Sequence, residues 1–445
     1  MQFVSFKINT LLRGVTWIIL FIPFLDQAQN TVEVLEKATI EDIIQYALKN
    51  QPKVKQAQID EEMADQAIKG KLADWYPQLN FDYNYQRFIE LQSSVIGGEV
   101  IRFGVDNTSS VQFTATQNIF NSDVLLASKT ASTVRLQASQ NTSRSKIDVA
   151  ANVTKAVYDV LATTQQIKVS EESIVRLEQS LKDAKSRYSA GISDKTDFQR
   201  ASILLRNAQA SLATNKASLQ YKTDFLKSLM GYPKEEELII AYDEHSMERE
   251  ILLDTTQAIH YSSHINYQIL QTQKELQKAN LKYNQWAYLP SVSLFGAYNL
   301  NYQNNSFGEL YDNKFPYSYV GAKVSLPLFQ GGKRASKVQE ARLANSRIDF
   351  SLIDLENQLH AGYSQALSAY KSNLAMYGAQ KENVALAQEV YDIIRLQYNS
   401  GVKTYLDVTT AESELRTTRI NYFNALYRVL ASKVDVEQAL GQIIY

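Results

Sequence analysis

The feature that most constrains this chain is a helix that stops at a proline and becomes a strand, written twice. Residues 74–86 read DWYPQLNFDYNYQ, and residues 287–303 read AYLPSVSLFGAYNLNYQ. Proline pushes the residue before it out of helical geometry, so Pro77 and Pro290 mark helix ends. Beyond each proline the side chains alternate. Leu79, Phe81, Tyr83 and Tyr85 fall on one side, and Gln78, Asn80, Asp82, Asn84 and Gln86 on the other. Likewise Val292, Leu294, Tyr298, Leu300 and Tyr302 alternate with Ser291, Ser293, Asn299, Asn301 and Gln303. Two further stretches, 110–120 and 318–329, carry the same period. Val111, Phe113 and Ala115 alternate with Gln112, Thr114 and Thr116, and Val320, Ala322, Val324 and Leu326 with Tyr319, Gly321, Lys323 and Ser325. A period of two with one polar face predicts strands of a half-buried antiparallel sheet or of a membrane β-barrel. Trp75, Tyr76, Trp286 and Tyr288 stand at the strand entrances, where a barrel places its aromatic belt. Membrane barrels start at about eight strands, so these four would close one only with strands from further copies. Two copies or three would serve, and the alternation does not choose between them.

The rest of the chain is also written twice. Tyr188-Ser-Ala-Gly191 is echoed about 210 positions later by Tyr398-Asn-Ser-Gly401. No proline falls between Pro77 and Pro233, or after Pro327. Residues 121–191 and 331–401 are each long enough for a rod of about 105 Å at 1.5 Å per residue. From Val338 the small and apolar positions step by three and four through Ala341, Asn345, Ile348, Leu352, Leu355, Leu359, Gly362, Ala366 and Ala369. That spacing predicts a coiled-coil seam. Shorter return legs follow, 194–231 and 404–441, and the segments 52–76 and 265–289 lead into the strands. A return leg stacked end to end on a lead-in segment nearly matches one long rod. The repeats are therefore placed at about 39–231 and 254–441 of a single domain, 29–445, with a linker at 232–253 beside the stacking point. Each proline marks where a short helix reaches the membrane, and each long helix leads away into an aqueous compartment.

Composition narrows the function. Lys and Arg total 46 against 47 Asp and Glu, which leaves no basic footprint for nucleic acid. There is no cysteine, so disulfides, thiol catalysis and cysteine lipidation are excluded. Lys7 and Arg13 precede a short apolar run, Val15 to Leu25, which reads as a signal peptide over residues 1–28. Cleavage is expected after Ala28, with Asp26 where a small residue is usual. The chain is thus expected to be exported and to meet the membrane by means other than a helix.

The ordered set of these elements resembles the outer membrane efflux protein family, the TolC-like exit ducts. The match rests on LPLFQGGKR (326–334), on the turns RYSAGISDKTDFQRA (187–201) and QYNSGVKTYLDVTTAE (397–412), and on the two proline entries. It covers essentially the whole chain after residue 28. The resemblance implies a mainly α fold: coiled-coil helices forming an α-helical barrel, with four strands per chain in a twelve-stranded β-barrel shared by a homotrimer. It implies an outer membrane location with a long periplasmic extension. The function would be passive: the exit duct of a tripartite efflux pump or a type I secretion system. Its partners would be a periplasmic adaptor, an inner-membrane pump that selects the cargo, and outer membrane lipid. By position, Asp197, Tyr398 and Lys403 would latch the closed tip, and Asp407 would supply an acidic constriction. Relatives often carry Arg at the Lys403 position, and the second acid of some members is Thr410 here. The turns at Gly191 and Gly401 would dock the adaptor.

Plainer readings stand beside these. Asp194-x-x-Asp197 and Thr404-x-x-Asp407 have the form of capping boxes, which is compatible with a role at a gate. His260 and His264 have the spacing of a helical metal pair but no neighbouring acid, so a polar patch is expected. Gly331-Gly-Lys-Arg334 lacks the rest of a phosphate loop and predicts a strand-to-helix turn. Most of the 27 tyrosines should serve the belt or helix packing. No catalytic constellation is written, so neither enzymatic activity nor a cofactor is expected. The rival readings are a coiled-coil scaffold, an adaptor and a periplasmic enzyme. A scaffold needs no strands at helix boundaries, and no β-rich adaptor module is visible.

Overall fold

The computed structural model describes residue 35 and residues 37–241 and 243–443, so the expected signal segment 1–28 lies outside the described residues. The elements follow in order: α1 (Ile40–Asn50), α2 (Pro52–Leu72), β1 (Gln78–Arg87), β2 (Gln92–Ile96), β3 (Glu99–Phe103), β4 (Asn107–Phe120), α3 (Ser122–Ser189), α4 (Lys195–Met230), α5 (Glu244–Glu250), α6 (Ile265–Trp286), β5 (Ser291–Asn304), β6 (Lys314–Ser325), α7 (Lys333–Asn399) and α8 (Tyr405–Leu440). The rods α3 and α7 have 68 and 67 residues. Each therefore spans about 100 Å. None of the described helices is long and apolar enough to cross a membrane.

The short helices stack as the lengths require, and glycine makes the joint. Gly231 ends α4 with φ +68°, and a Cβ there would sit 2.7 Å from the Asn50 carbonyl oxygen. From the other side the Gln51 side chain donates to the Leu229 carbonyl at 3.0 Å. The second repeat copies the joint. Gly441 ends α8 with φ +72°, and a Cβ there would meet Ser263 O and His264 Cα at 3.2 Å. Thus α4 and α2 together line α3, while α8 and α6 line α7; α6 and α8 also pack on α3 and tie the repeats together. The main core lies alongside these joints, with Val153, Val157 and Leu161 of α3 packed among Leu226, Met230, Leu426 and Leu430.

The seam of α7 departs from its expected course. Val338, Ala341, Ile348 and Leu352 are buried as expected. After Leu359 the chain steps by four instead of three. The buried positions become Tyr363, Tyr370, Tyr377 and Tyr391, whereas Gly362 and Ala369 are exposed. Both courses keep the coiled-coil period; acceptors on the linker and just beyond it decide between them. Tyr363 donates to the Gln257 carbonyl and Tyr370 to the Ile251 carbonyl, both at 2.8 Å. A buried tyrosine needs such a partner for its hydroxyl.

The linker is also held by Glu248 on α5. One carboxylate oxygen accepts from Tyr377 at 2.6 Å, Tyr422 at 2.7 Å and Lys381 at 2.9 Å. Burial alone would raise this carboxyl. The hydrogen bonds from Tyr377, Lys381 and Tyr422 overcome that and hold it at about 2. The folded value lies below the ordinary one, so its contribution is full above the ordinary glutamate range and is lost as pH falls through about 2. Glu248→Gln is therefore expected to lower stability at neutral pH and to flatten the acid limb. Thermal unfolding followed from pH 7 to pH 2 checks this, and parallel acid limbs for both proteins would refute it.

Candidate functional site

The four long strands form one antiparallel sheet in the order β1-β4-β5-β6. Register places its rows. Leu79, Ala115, Gly296 and Val320 lie side by side, as do Phe81, Phe113, Tyr298 and Ser318, then Tyr83, Val111, Leu300 and Pro316. This face is largely apolar. The opposite face carries Asn80, Thr114, Ala297 and Tyr319, then Asp82, Gln112, Asn299 and Tyr317. On that face Gly321 makes room for Phe295, since a Cβ there would come within 2.6 Å of the ring. Among the described residues β1 and β6 each have one neighbour, which leaves both outer edges open.

Strand boundaries differ from expectation in β4, which begins at Asn107 rather than 110, and in β6. β6 begins at Lys314 and ends at Ser325, because Pro327 has no N–H to extend a ladder. The loop after β1 contains a hairpin, β2 and β3, that was not expected from the alternation. Its signal was Gly97-Gly98, whose φ of +63° and +90° suits a two-residue hairpin turn. At the other end the GGKR segment is the expected turn. Gly331 and Gly332 take φ of +56° and +83°. Arg334 lies 4.6 Å over the Tyr288 ring and donates to the Leu328 carbonyl at 3.2 Å, which fixes the aromatic belt residue to the turn.

The distal tips are built alike. After α3, Ile192 N–H reaches the Arg187 carbonyl at 2.9 Å and Gly191 N–H the Tyr188 carbonyl at 3.0 Å. After α7, Val402 N–H reaches Gln397 at 2.9 Å and Gly401 N–H reaches Tyr398 at 3.0 Å. Both turns need left-handed glycine, with φ of +71° at Gly191 and +78° at Gly401. Each also presents an apolar residue to solvent, Ile192 and Val402, both 73 % exposed.

The acids at these turns behave differently. Thr404 and Asp407 form the reciprocal capping box: Thr404 N–H donates to the Asp407 carboxylate at 2.9 Å, and Asp407 N–H to the Thr404 hydroxyl at 3.3 Å. The backbone and hydroxyl donors of Thr404, then the Lys403 charge, hold the Asp407 carboxyl below its usual range. The first repeat has no such box. Asp194 caps alone, accepting from Thr196 N–H at 3.1 Å. Asp197 N–H meets only the Asp194 carbonyl, at 3.3 Å, and no donor among the described residues meets the Asp197 carboxylate.

Tyr398 lies near Asp197, whose charge acts on its hydroxyl. Burial raises the Tyr398 hydroxyl; Arg187 offsets this, and Asp197 and Asp183 add to it. No hydrogen bond joins Asp197, Tyr398 and Lys403 within one chain. Three residues that sequence reasoning missed meet there. Arg187 lies 4.6 Å over the Tyr398 ring, Tyr405 packs edge-on against Tyr398 at 5.9 Å, and Ser180 hydrogen-bonds the Tyr405 hydroxyl at 3.0 Å. Farther from the tip, buried Glu412 accepts from Ser173 at 2.5 Å and pairs with Arg176 at 3.3 Å, and Arg419 pairs with Glu172. The histidine pair is not helical: His260 precedes a single 3-10 turn, and His264 caps α6, accepting from Asn266 N–H at 3.3 Å. Among the described residues no three His, Asp or Glu gather to hold a metal.

This architecture is shared with known proteins. The family model for outer membrane efflux proteins matches residues 43–232 and 264–442, one stretch in each repeat. The outer membrane protein TolC of Escherichia coli strain K12 is 21% identical over 446 residues, covering 94% of this chain and 83% of that protein. The cation efflux system protein CusC of Escherichia coli O157:H7 is 20% identical, covering 90% and 85%. The crystal structure of the Campylobacter jejuni CmeC outer membrane channel superposes with a TM-score of 0.73 at 16% identity, covering 91% of this chain and 85% of that one. With both repeats matched and the same fold in solved channels, the chain belongs to the outer membrane efflux protein family.

Proposed function

We propose that three copies of this chain close one twelve-stranded barrel in the outer membrane and continue it as a helical tunnel through the periplasm. The duct is passive and serves as the exit of a tripartite efflux pump or a type I secretion machine. The observation that carries this reading is the sheet: one apolar face, one polar face and two open edges. Hydrocarbon does not tolerate an unpaired strand edge, so β1 and β6 need neighbours from other copies. A scaffold or an adaptor would have no use for such a sheet. Residues 39–231 and 254–441 act as the two repeats of one domain, joined by the linker 232–253, and residues 1–28 direct export. The tips at Gly191 and Gly401 meet a periplasmic adaptor, with the exposed Ile192 and Val402 as the apolar contact. Asp197 and Lys403, whose charged groups have no hydrogen-bond partner among the described residues, reach to neighbouring copies and close the tip together with Tyr398. Three copies of Asp407 around the axis attract cations.

Planar-bilayer recordings test the reading. The wild-type protein should form discrete cation-preferring channels. Asp407→Asn should reduce that preference, most clearly at low salt where screening is weak. Absence of channels would overturn the duct. Unchanged selectivity would reduce Asp407 to its capping role.

A further inference from the structure

We propose that Arg187 is a positioning residue that holds the tip closed within each chain, by stacking on the Tyr398 ring. The inference rests on the gate reading above and adds the contact that joins the two repeats at their distal ends.

The first turn connects α3 to α4 and the second connects α7 to α8, so a closed tip needs a contact between them. Four helices meet there in a small cluster: Ala184 of α3, Ala201 of α4, Tyr405 of α8 and, half-buried, Tyr398 of α7. The two alanines leave space for the tyrosine rings. Two polar contacts then cross between the repeats at this level, Ser180 with Tyr405 at 3.0 Å and Arg187 with Tyr398 at 4.6 Å from its centroid. A guanidinium over a tyrosine face is attracted by the negative face of the ring. Edge-on packing of Tyr405 at 5.9 Å fixes the same ring from another side. The Tyr398 hydroxyl has no hydrogen-bond partner among the described residues, so the ring carries the contact. This leaves the Asp197 and Lys403 charges for neighbouring copies, so the two sets of contacts operate together.

The test uses the full-length trimer in planar bilayers at about 1 M salt, where the Debye length is about 3 Å and a lost surface charge alone has little effect on conductance. Heat-modifiable trimer bands establish assembly of each variant. Arg187→Gln and Tyr398→Leu should each raise the open fraction by about fivefold, the scale of one lost contact of this kind. The double variant should open little more than either single one, because both remove the same contact. Arg187→Lys should restore most of the closure, and Tyr398→Phe, which keeps the ring, should open the tip much less than Tyr398→Leu. If Tyr398→Phe opens the tip as much as Tyr398→Leu, the hydroxyl holds it and the stacking inference falls. If Arg187→Gln is silent while Asp197→Ala opens the channel, the gate stands and Arg187 has no part in it. If every tip variant is silent, the gate reading itself fails, and this inference with it.

Discussion

Gly231→Ala is expected to destabilise the chain by about 2–4 kcal/mol, from left-handed strain on a residue with a Cβ plus overpacking. The strain follows from φ of +68° at the end of α4. The overpacking follows from the 2.7 Å approach to the Asn50 carbonyl oxygen, which is backbone and cannot swing away. The joint between α4 and α2 would have to open, and with it the alignment of both helices on α3. Gly191 is the control. Its φ is +71°, but nothing lies within 4 Å of its Cβ position. Gly191→Ala should therefore show the backbone cost alone, about 1–2 kcal/mol. Gly441, with neighbours at 3.2 Å, should fall between them. Thermal unfolding of the three variants checks the order. Equal losses at Gly231 and Gly191 would mean that the helix joint is not tightly packed.

Phe81→Arg is expected to prevent insertion of most of the protein, while Asn80→Arg inserts. Phe81 is 61 % exposed and packs across the sheet against Phe113, with ring centroids 5.2 Å apart. It sits on the apolar face, and a charge facing lipid near mid-bilayer costs about 2–4 kcal/mol. Asn80 is the next residue and points to the polar face beside Thr114. A charge there faces the lumen, where water solvates it. The amount of heat-modifiable trimer in the outer membrane fraction measures both variants. Equal assembly of the two would show that the apolar face does not meet lipid.

Much of the site was legible because its signals are local. Pro77 and Pro290 placed the helix-to-strand changes, and Gly191 and Gly401 placed the tips. The Thr404–Asp407 box was readable because its bonds span three residues. The matching box expected at Asp194 and Asp197 did not form; there Asp194 caps Thr196 N–H directly. The β2–β3 hairpin was signalled at Gly97-Gly98, but its strands of five residues each are too short for a clear alternation. Ser180 carried no signal, and Arg187 opened the first tip motif without a readable role. They are ordinary polar positions on a long helix until α7 and α8 arrive beside them.

Sequence alone thus determined the order and approximate lengths of the long helices and of the four sheet strands, and that they occur twice. Those properties come from proline and glycine backbone limits, caps and side-chain period, all of which act within a few residues. Tertiary structure decided the rest. The step at Leu359 that brings Tyr363, Tyr370 and Tyr377 inward depends on carbonyls and a carboxylate supplied by residues 248–257, in the linker and just beyond it, more than a hundred residues away in the chain. The neighbours of β4, one from each repeat, depend on bringing residues 107 and 304 together. The partner of Tyr398 depends on a helix from the other repeat. Periodicity states which face is buried, but it does not say against what, because competing phases differ only in the partners that distant segments provide.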